Sequence, residues 1–530
     1  MTEKRIPTLP LGTSSFKGLR EYGQVYVDKT DQIEKMASLR VKLFLARPRR
    51  FGKSLLTSTF ESLFRDGLKY FKGLKIERLW QDRTYPVVSL DFSSFKEKVK
   101  DIESFRYEFN RHLADKFGAV GFVPPADLNS VRSSFSKWLG SLESNSLVVL
   151  VDEYDSPLTS CIGNEALFED IRAEISDFFL KIKSNDDCIR FLFITGITKF
   201  SSTSIFSGFN TARDISLDTD VGALLGYTEE EILQNFSPWL DEAQRVLGLT
   251  RTELMDKLRE NYDGFCFDRQ AKTHVYNPWS VLNFLLKPQE GFQNYWFSSG
   301  GQPLVLQKYL AKHSLENPSV YSDQKEIELS VLENPQPYKK ITAKALLVQT
   351  GYLTFKGVTD DGFAELGYPN REVNASMAQL YADELLQGNP VRPAGRPSIG
   401  RVLDSGTLEE VVESFNFAVN AIDYKDYPIA DEASCRAYLQ VLLIGASKLP
   451  YTEVHTALGR SDLEVEAGDR YWVFEFKYAA EGADARKLLS QGVEQVKSRR
   501  YGETAHGKEL IRVVMVFDAS VRKFVLWESV

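Results

Sequence analysis

A chain of 530 residues with 43% hydrophobic and 26% charged content has the make-up of ordinary globular protein and exceeds what one hydrophobic core organises, so about two to four domains are expected and long disorder is not. The formal net charge of −8 argues against a general nucleic-acid coat, although local basic patches can still bind a polyanion. Cys161, Cys188, Cys266 and Cys435 are scattered, with no C-x-x-C pair and no histidine at zinc spacing. They read as reduced core thiols of a cytoplasmic protein. No apolar run approaches the length of a membrane span, and the first residues lack the apolar stretch of a secretory signal, so no membrane partner is expected.

The first patterned element is an apolar strand, Val41 to Ala46, followed by a loop and a helix starting near Lys53. In that order the helix-start amides can cradle phosphate oxygens. Gly52 lets the backbone approach, Lys53 can reach the β- and γ-phosphates, and the Ser54 hydroxyl can take Mg²⁺. The glycine usual five residues before Gly52 is replaced by Arg47, with Pro48 next. A second apolar run, Pro86 to Leu90, ends at Asp91. The stretch LVVLVDEYDSP gives a third, ending in Asp152 and Glu153. One acid there can hold Mg²⁺ through water, and Glu153 can polarise an attacking water. A fourth, Ile189 to Ile194, runs into Thr195, Gly196 and ITKFS, where Thr195 or Lys199 could sense a γ-phosphate. Together these strands predict the parallel α/β sheet of a P-loop NTPase.

Arg213, in the NTARD segment, is the basic residue best suited to γ-phosphate contact, in cis or from a neighbouring subunit; the alternative is a surface salt bridge. Thr228 to about Lys312 reads as helical and rich in aromatics. From Ile341 to Val373 a helix leads into strand-like GYLTFKG, then DDG and FAELGYP, a helix plus hairpin that suggests a winged-helix-like or similar adaptor. The segment Gly388 to Gly400 holds three prolines and three glycines and reads as a linker.

Beyond it lie a helical run from Asp431 to Ala446, a short strand around Glu453 to Ala457, a strand containing Asp462, a turn at Gly468-Asp469, a strand Tyr471 to Phe476, a helix Ala483 to Arg499 and a strand Ile511 to Phe517. Glu475 and Lys477 are two apart and share one strand face, while Trp472, Phe474 and Phe476 alternate onto the other. Two acids and a lysine at the ends of a hairpin suit Mg²⁺-dependent phosphodiester cleavage. The alternative is the solvated face of an amphipathic strand.

This order of helix, three strands, helix and strand resembles the PD-(D/E)XK nuclease superfamily. The resemblance implies that Asp462 and Glu475 ligate the metal and that Lys477 assists the water. Glu432 matches a position where many members carry a further acid, although a first-turn glutamate is also favoured by the helix dipole. Gln491 and Gln495 share a helix face, with Tyr501 just beyond, and some exonuclease-like members place a glutamine and a tyrosine near DNA. Lys497, Arg499 and Arg500 suit phosphate contacts, or simply a solvated helix face.

A second resemblance spans nearly the whole chain. YVDKT (Tyr26 to Thr30), RPRRFGKS (Arg47 to Ser54), VDEYDSP, TGITKFS, FSGFNTARDISLD, LLGYTEEE, YDGFCF, YNPWS, LLVQTGYLTF and YPNREV are similar to a bacterial and archaeal family of AAA-ATPase-like proteins with a C-terminal PD-(D/E)XK domain. In that family RPRRFGKS is itself the usual loop, so Arg47, Arg49, Arg50 and Phe51 join Gly52, Lys53 and Ser54 at the expected ATP site. The resemblance implies an AAA-like ATPase domain over 1–227, a helical lid over 228–330, an adaptor with linker over 331–400 and a nuclease-like domain over 401–530. The function it implies is an ATP-regulated, Mg²⁺-dependent nuclease acting on nucleic acid, DNA before RNA, in defence against foreign or mobile DNA. The alternative is a nucleotide-dependent scaffold ATPase whose nuclease fold does not cut. A homo-oligomer is suggested by the habit of such ATPases of borrowing an arginine across a subunit interface.

Overall fold

The computed structural model describes residues 7–95, 100–199, 212–297, 305–306, 325–333, 342–386, 399–420, 428–445, 450–456, 459–502 and 507–530. Most of the linker-like stretch 388–400, the FSGFNT part of one motif and much of the expected lid beyond residue 297 lie outside them. Two compact units emerge, Met1–His313 with Glu326–Glu372, and Ser314–Lys325 with Val373–Val530.

The first unit is built on a parallel sheet. Its strands are β1 (Lys42–Ala46), β2 (Val87–Asp91), β3 (Leu147–Asp152), β4 (Ile189–Gly196) and β5 (Ala212–Asp214), in the order β2-β3-β4-β1-β5. Near-continuous apolar runs suit strands covered on both faces, and every residue of β1, β3 and β4 is buried. The three-residue β5 has no apolar run to announce it; it is held by pairing of Ala212–Asp214 with Lys42–Phe44. Because β1 lies beside β4, with β3 next, the loops after these strands converge at one end of the sheet, where doubly wound folds bind ligands. Helix Lys53–Asp66 follows β1 and packs Phe60 and Phe64 on Phe191, with ring centroids 5.0 Å apart in each case.

Helices Glu229–Asn235, Ser237–Leu247, Arg251–Tyr262 and Pro278–Leu286 follow the sheet. Two of them start with capping boxes, Thr228 with Glu231 and Thr250 with Glu253. Their apolar faces share a core with Val25 and Val27 from the N-terminal segment. A short hairpin, β6 (Phe265–Cys266) and β7 (His274–Val275), lies between the third and fourth helices. Further along the chain come helix Ala343–Thr350 and an antiparallel pair, β9 (Thr354–Val358) and β10 (Phe363–Gly367), with β8 (Lys325–Glu328) added beside β10.

Most of the second unit is the stretch from Val373, inside helix Arg371–Leu386, onward. Ile399, Val402 and Leu403, then Val411 and Phe415 of helix Leu408–Asn420, enter the same core as Trp472, Phe474 and Phe476. The sheet runs β11 (Tyr451–Thr456), β12 (Gly459–Ala467), β13 (Arg470–Ala479), β14 (Glu509–Asp518), β15 (Lys523–Ser529). The pair β13 and β14 is parallel, and the other neighbours are antiparallel. The second face of β13 is also covered: Tyr471 and Val473 pack with Val496 and Tyr501 beneath helix Ala485–Arg499. Among the described residues no helix is long and apolar enough to cross a membrane. All four cysteines are buried free thiols.

Candidate functional site

The loop after β1 opens onto a cavity of about 410 Å³ lined by Arg49 to Ser54, Glu153, the segment around Gly12, Leu224 to Tyr227, and Trp279. Gly52, at φ 93°, makes the turn into helix Lys53–Asp66. Lys53 is buried, and its ammonium donates to the carbonyl oxygens of Arg47 at 3.0 Å and Pro48 at 2.9 Å. Burial lowers its pKa, against the opposing pull of Asp152 and Glu153. Arg50 stacks its guanidinium 4.3 Å from the Trp279 ring centre. Phe51 is anchored edge-on between Phe265 and Phe267, at 4.9 and 5.0 Å.

Asp152 ends β3, and the Ser54 hydroxyl bonds its carboxylate; burial, the larger effect, raises its pKa. Glu153 borders the cavity in a left-handed conformation, φ 49°, that non-glycine residues seldom adopt. Its N–H donates to Asp152 Oδ1 at 2.9 Å.

The turn after β3 is tied to the end of β4. Buried Asp155 accepts from Thr198 N at 2.8 Å and Thr198 Oγ1 at 2.6 Å, while Tyr154 OH donates to Thr198 O at 2.7 Å. A Cβ on Gly196 would fall 2.6 Å from both Tyr154 Cδ1 and Asp155 Oδ1, which accounts for the glycine in TGITKF. Asp155 was not singled out from the sequence, although DEYDSP carries it one turn beyond the two acids.

Three residues expected near phosphate are placed differently. Arg47 turns its guanidinium away from the large cavity: it is 1% exposed, donates through Nη1 to Ala46 O at 3.0 Å and to Ser216 O, and lies 4.4 Å from the Phe267 ring centre. Lys199 is buried and pairs with Asp214 at 2.7 Å. Arg213 is exposed and pairs with Asp218. Arg47 and Lys199 both find partners on β5 or just after it, at Ser216 and Asp214. Thr195 is fully buried at the end of β4, and its hydroxyl has no hydrogen-bond partner among the described residues.

In the second unit, the β12/β13 ladder runs as far as the pair Leu463 and Phe474. Just past it, the side chain of Asp462 takes over from the backbone: Oδ2 accepts from the Phe476 N–H at 2.8 Å. Glu475, 2% exposed, receives Lys477 Nζ on Oε1 at 2.9 Å, while its buried Oε2 has no partner among the described residues. Burial first, and the Asp462 charge second, push the Glu475 carboxyl up to about 7. Lys477 Nζ is also 3.6 Å from Glu432 Oε1. Burial pulls the Lys477 pKa down, but Glu475, Glu432 and Asp462 outweigh it and the net direction is upward. Glu432 begins helix Glu432–Gly445, and its pKa is raised by burial. The Glu475 and Lys477 side of β13 is therefore no solvated strand face.

Arg436, four residues after Glu432 on the same helix, places Nη1 3.5 Å from Asp462 Oδ1. It was missed, though spacing from Glu432 could have found it. Glu464 was missed too; buried, it accepts from Ser461 Oγ and Tyr471 OH, both at 2.6 Å. Helix Ala485–Arg499 comes close to this group because residue 492 is glycine: a Cβ there would meet Val514 Cγ1 at 2.5 Å and Lys477 Cγ at 3.4 Å. Gln495 Nε2 and Arg499 Nη1 both donate to the hydroxyl of buried Tyr501, at 3.2 and 3.3 Å. Lys497 and Arg500 are exposed, and Arg500 ends the helix in left-handed conformation at φ 49°. Among the described residues no three His, Cys, Asp or Glu side chains stand together as a ready metal cage.

The family model described as "Predicted AAA-ATPase" matches residues 10–206, and that of the PD-(D/E)XK nuclease superfamily matches residues 438–527. The chain is an AAA-ATPase-like protein with a PD-(D/E)XK nuclease-like domain at its C-terminus. This AAA-ATPase-like chain is also similar to an "uncharacterized protein in vnfD 5′ region" of Azotobacter chroococcum mcd 1, with 29% identity over 508 residues and 93% of each chain covered. A crystal structure of a DNA replication initiation factor aligns with 78% of this chain and 91% of its own at 12% identity, but with a TM-score of 0.23, below that of a shared overall fold.

Proposed function

We propose that this chain is an ATP-regulated, Mg²⁺-dependent nuclease, acting on DNA in preference to RNA. The observation that carries the reading is Glu475: a buried carboxylate with one oxygen on Lys477 and the other unpartnered among the described residues, close enough to Asp462 for the two charges to interact. An orphaned buried oxygen of this kind fits a cation site. Asp462 and Glu475 would hold Mg²⁺, with Glu432 as a further acid. When bound, such an ion supplies Lewis-acid polarisation of a phosphate and acidification of a water. Lys477 presents its ammonium to the attacking water or to charge developing on phosphate. Lys53, Ser54, Asp152 and Glu153, with Arg49 and Arg50, would hold ATP and its Mg²⁺ at the larger cavity. A nuclease under nucleotide control, with no obvious module for reading sequence, would suit defence against foreign or mobile DNA.

One observation favours a second reading, a nucleotide-dependent scaffold that binds without cutting. Lys477 and Arg436 already neutralise much of the acid group.

Purified protein incubated with linear, circular and single-stranded DNA and with RNA, with Mg²⁺ or Mn²⁺ and with or without ATP, separates the two. Asp462→Ala and Lys477→Ala should each abolish cutting and leave ATP hydrolysis nearly intact, whereas Lys53→Ala should weaken nucleotide binding. Cutting that survives both nuclease-site changes overturns the site; ATP turnover with no cutting of any substrate favours the scaffold.

A further inference from the structure

Along Val25 to Thr30, which contains the YVDKT motif, the side chains alternate between two anchorages. Tyr26 hydrogen-bonds Thr59 of helix Lys53–Asp66, Asp28 Oδ2 accepts from Lys75 N at 2.8 Å, and Thr30 Oγ1 accepts from Ile76 N at 3.0 Å. These three tie the motif to the helix of the phosphate-binding loop and to the short turn Lys75–Arg78. Val25 and Val27 go the other way, into the core of the helices that follow the sheet. Lys29 does the same: its buried ammonium donates to the carbonyl oxygens of Ala223 and of Gly226, the latter at 2.9 Å, and pairs with Glu231 Oε2 at 2.9 Å.

An ammonium has three donors, and here three acceptors take them. Lys29 therefore borders the larger cavity with no donor left for a ligand, and acts on a ligand through what it holds. Ala223 and Gly226 bracket Leu224 and Leu225, which line that cavity. Leu225 Cδ2 lies 4.0 Å from where a Cβ on Gly52 would stand, so this wall touches the turn that has to approach phosphate. Glu231 Oε2 also accepts from Thr228 N at 2.8 Å and so caps helix Glu229–Asn235, which gives Lys29 a rigid helix start to hold the wall against. We infer that Lys29 is a positioning residue for nucleotide, holding Leu224 and Leu225 against the phosphate-binding loop before nucleotide arrives, so that binding does not have to order them. The inference rests on the proposed ATP site in the same cavity. The backbone bonds between Tyr227 and Tyr276, at 3.2 and 2.8 Å, keep the end of the loop in place without Lys29, so its loss loosens the wall.

ATP titrations of the full chain compare wild type, Lys29→Met, Leu225→Ala and the double variant. Lys29→Met should weaken ATP binding about tenfold, and in hydrolysis assays it should raise KM more than it lowers kcat. Because Lys29 acts through Leu225, the double variant should bind ATP no more weakly than the poorer single variant. A wild type that binds no ATP rejects the nucleotide site itself. Where the wild type binds ATP, unchanged affinity in Lys29→Met, a fall in kcat at constant KM, or losses that add in the double variant each overturn the role of Lys29. If Lys29→Met does not fold, Glu231→Gln takes its place in the same cycle. Glutamine keeps the cap and removes the charge that holds the ammonium, so ATP binding should weaken by a smaller factor, again without adding to Leu225→Ala; unchanged affinity in Glu231→Gln then overturns the inference.

Discussion

The ammonium group of Lys53 lies 3.0 Å from the carbonyl oxygen of Arg47, so the loop's own backbone holds the cation that a phosphate would need. On the proposed reading, nucleotide binding would exchange two carbonyl acceptors, those of Arg47 and Pro48, for phosphate oxygens. A hydrogen bond to a charged group contributes roughly 1.5–3 kcal/mol. Lys53→Ala is accordingly expected to weaken ATP binding about 10- to 100-fold in a calorimetric titration. Unchanged affinity would mean that Lys53 only closes the loop.

The second expectation concerns pH at the acid group. The Glu475 carboxyl is pushed up to about 7 by burial and by Asp462, and a carboxyl must lose its proton before it can hold a divalent cation. Mg²⁺ or Mn²⁺ affinity should climb by about tenfold per pH unit below 7, as one proton is displaced for each ion bound, and level off above it. Isothermal titration at pH 6, 7 and 8 with Glu475→Gln as reference measures this. A flat pH profile in the wild-type protein would rule out Glu475 as a ligand.

Much of this site was legible from alternation alone. Glu475 and Lys477 share a face, and Trp472, Phe474 and Phe476 occupy the other, their rings stacked in succession at 5.7 and 6.3 Å. Burial of both faces was not legible, because the cover comes from a helix whose approach depends on Gly492 against Val514, a contact with no local signature. The same holds in the first unit. The loop after β1 and the acids after β3 announce themselves by type and spacing, whereas the inward turn of Arg47 toward Ser216 and the pairing of Lys199 with Asp214 depend on β5, a strand too short and polar to be read.

Glu372 gives a pH dependence of stability. It accepts from Ser280 Oγ at 2.7 Å and Trp296 N at 2.8 Å, and complete burial lifts its carboxyl to about 8 despite those bonds. Its folded pKa lies above the ordinary value of 4.5. The folded state therefore keeps the proton longer, and the contribution is fully present below the unfolded value and is lost as pH rises through 8. Thermal or denaturant unfolding from pH 6 to 8 should show a decline on the order of 1 kcal/mol per pH unit, and Glu372→Gln, neutral throughout, should remove that decline. An unaltered slope in the variant would assign it to other groups.

Gly264 and Gly121 separate backbone strain from steric conflict. Both have positive φ, 90° and 103°, but a Cβ on Gly264 would lie 2.2 Å from the carbonyl oxygen of Pro369, whereas a Cβ on Gly121 would meet nothing within 4 Å. Alanine at Gly121 carries only the conformational strain of a left-handed non-glycine residue, about 1 kcal/mol. At Gly264 the same strain is joined by a clash with backbone, which cannot rotate aside, so the segment from Gly264 to Phe267 must move away from Pro369. That segment supports Phe51 through Phe265 and Phe267. Gly264→Ala is therefore expected to lower stability by about 3 kcal/mol or more and to weaken ATP binding as well, while Gly121→Ala leaves nucleotide affinity unchanged. Paired unfolding curves and ATP titrations of the two variants test this, and equal losses of stability would show that Pro369 yields without cost.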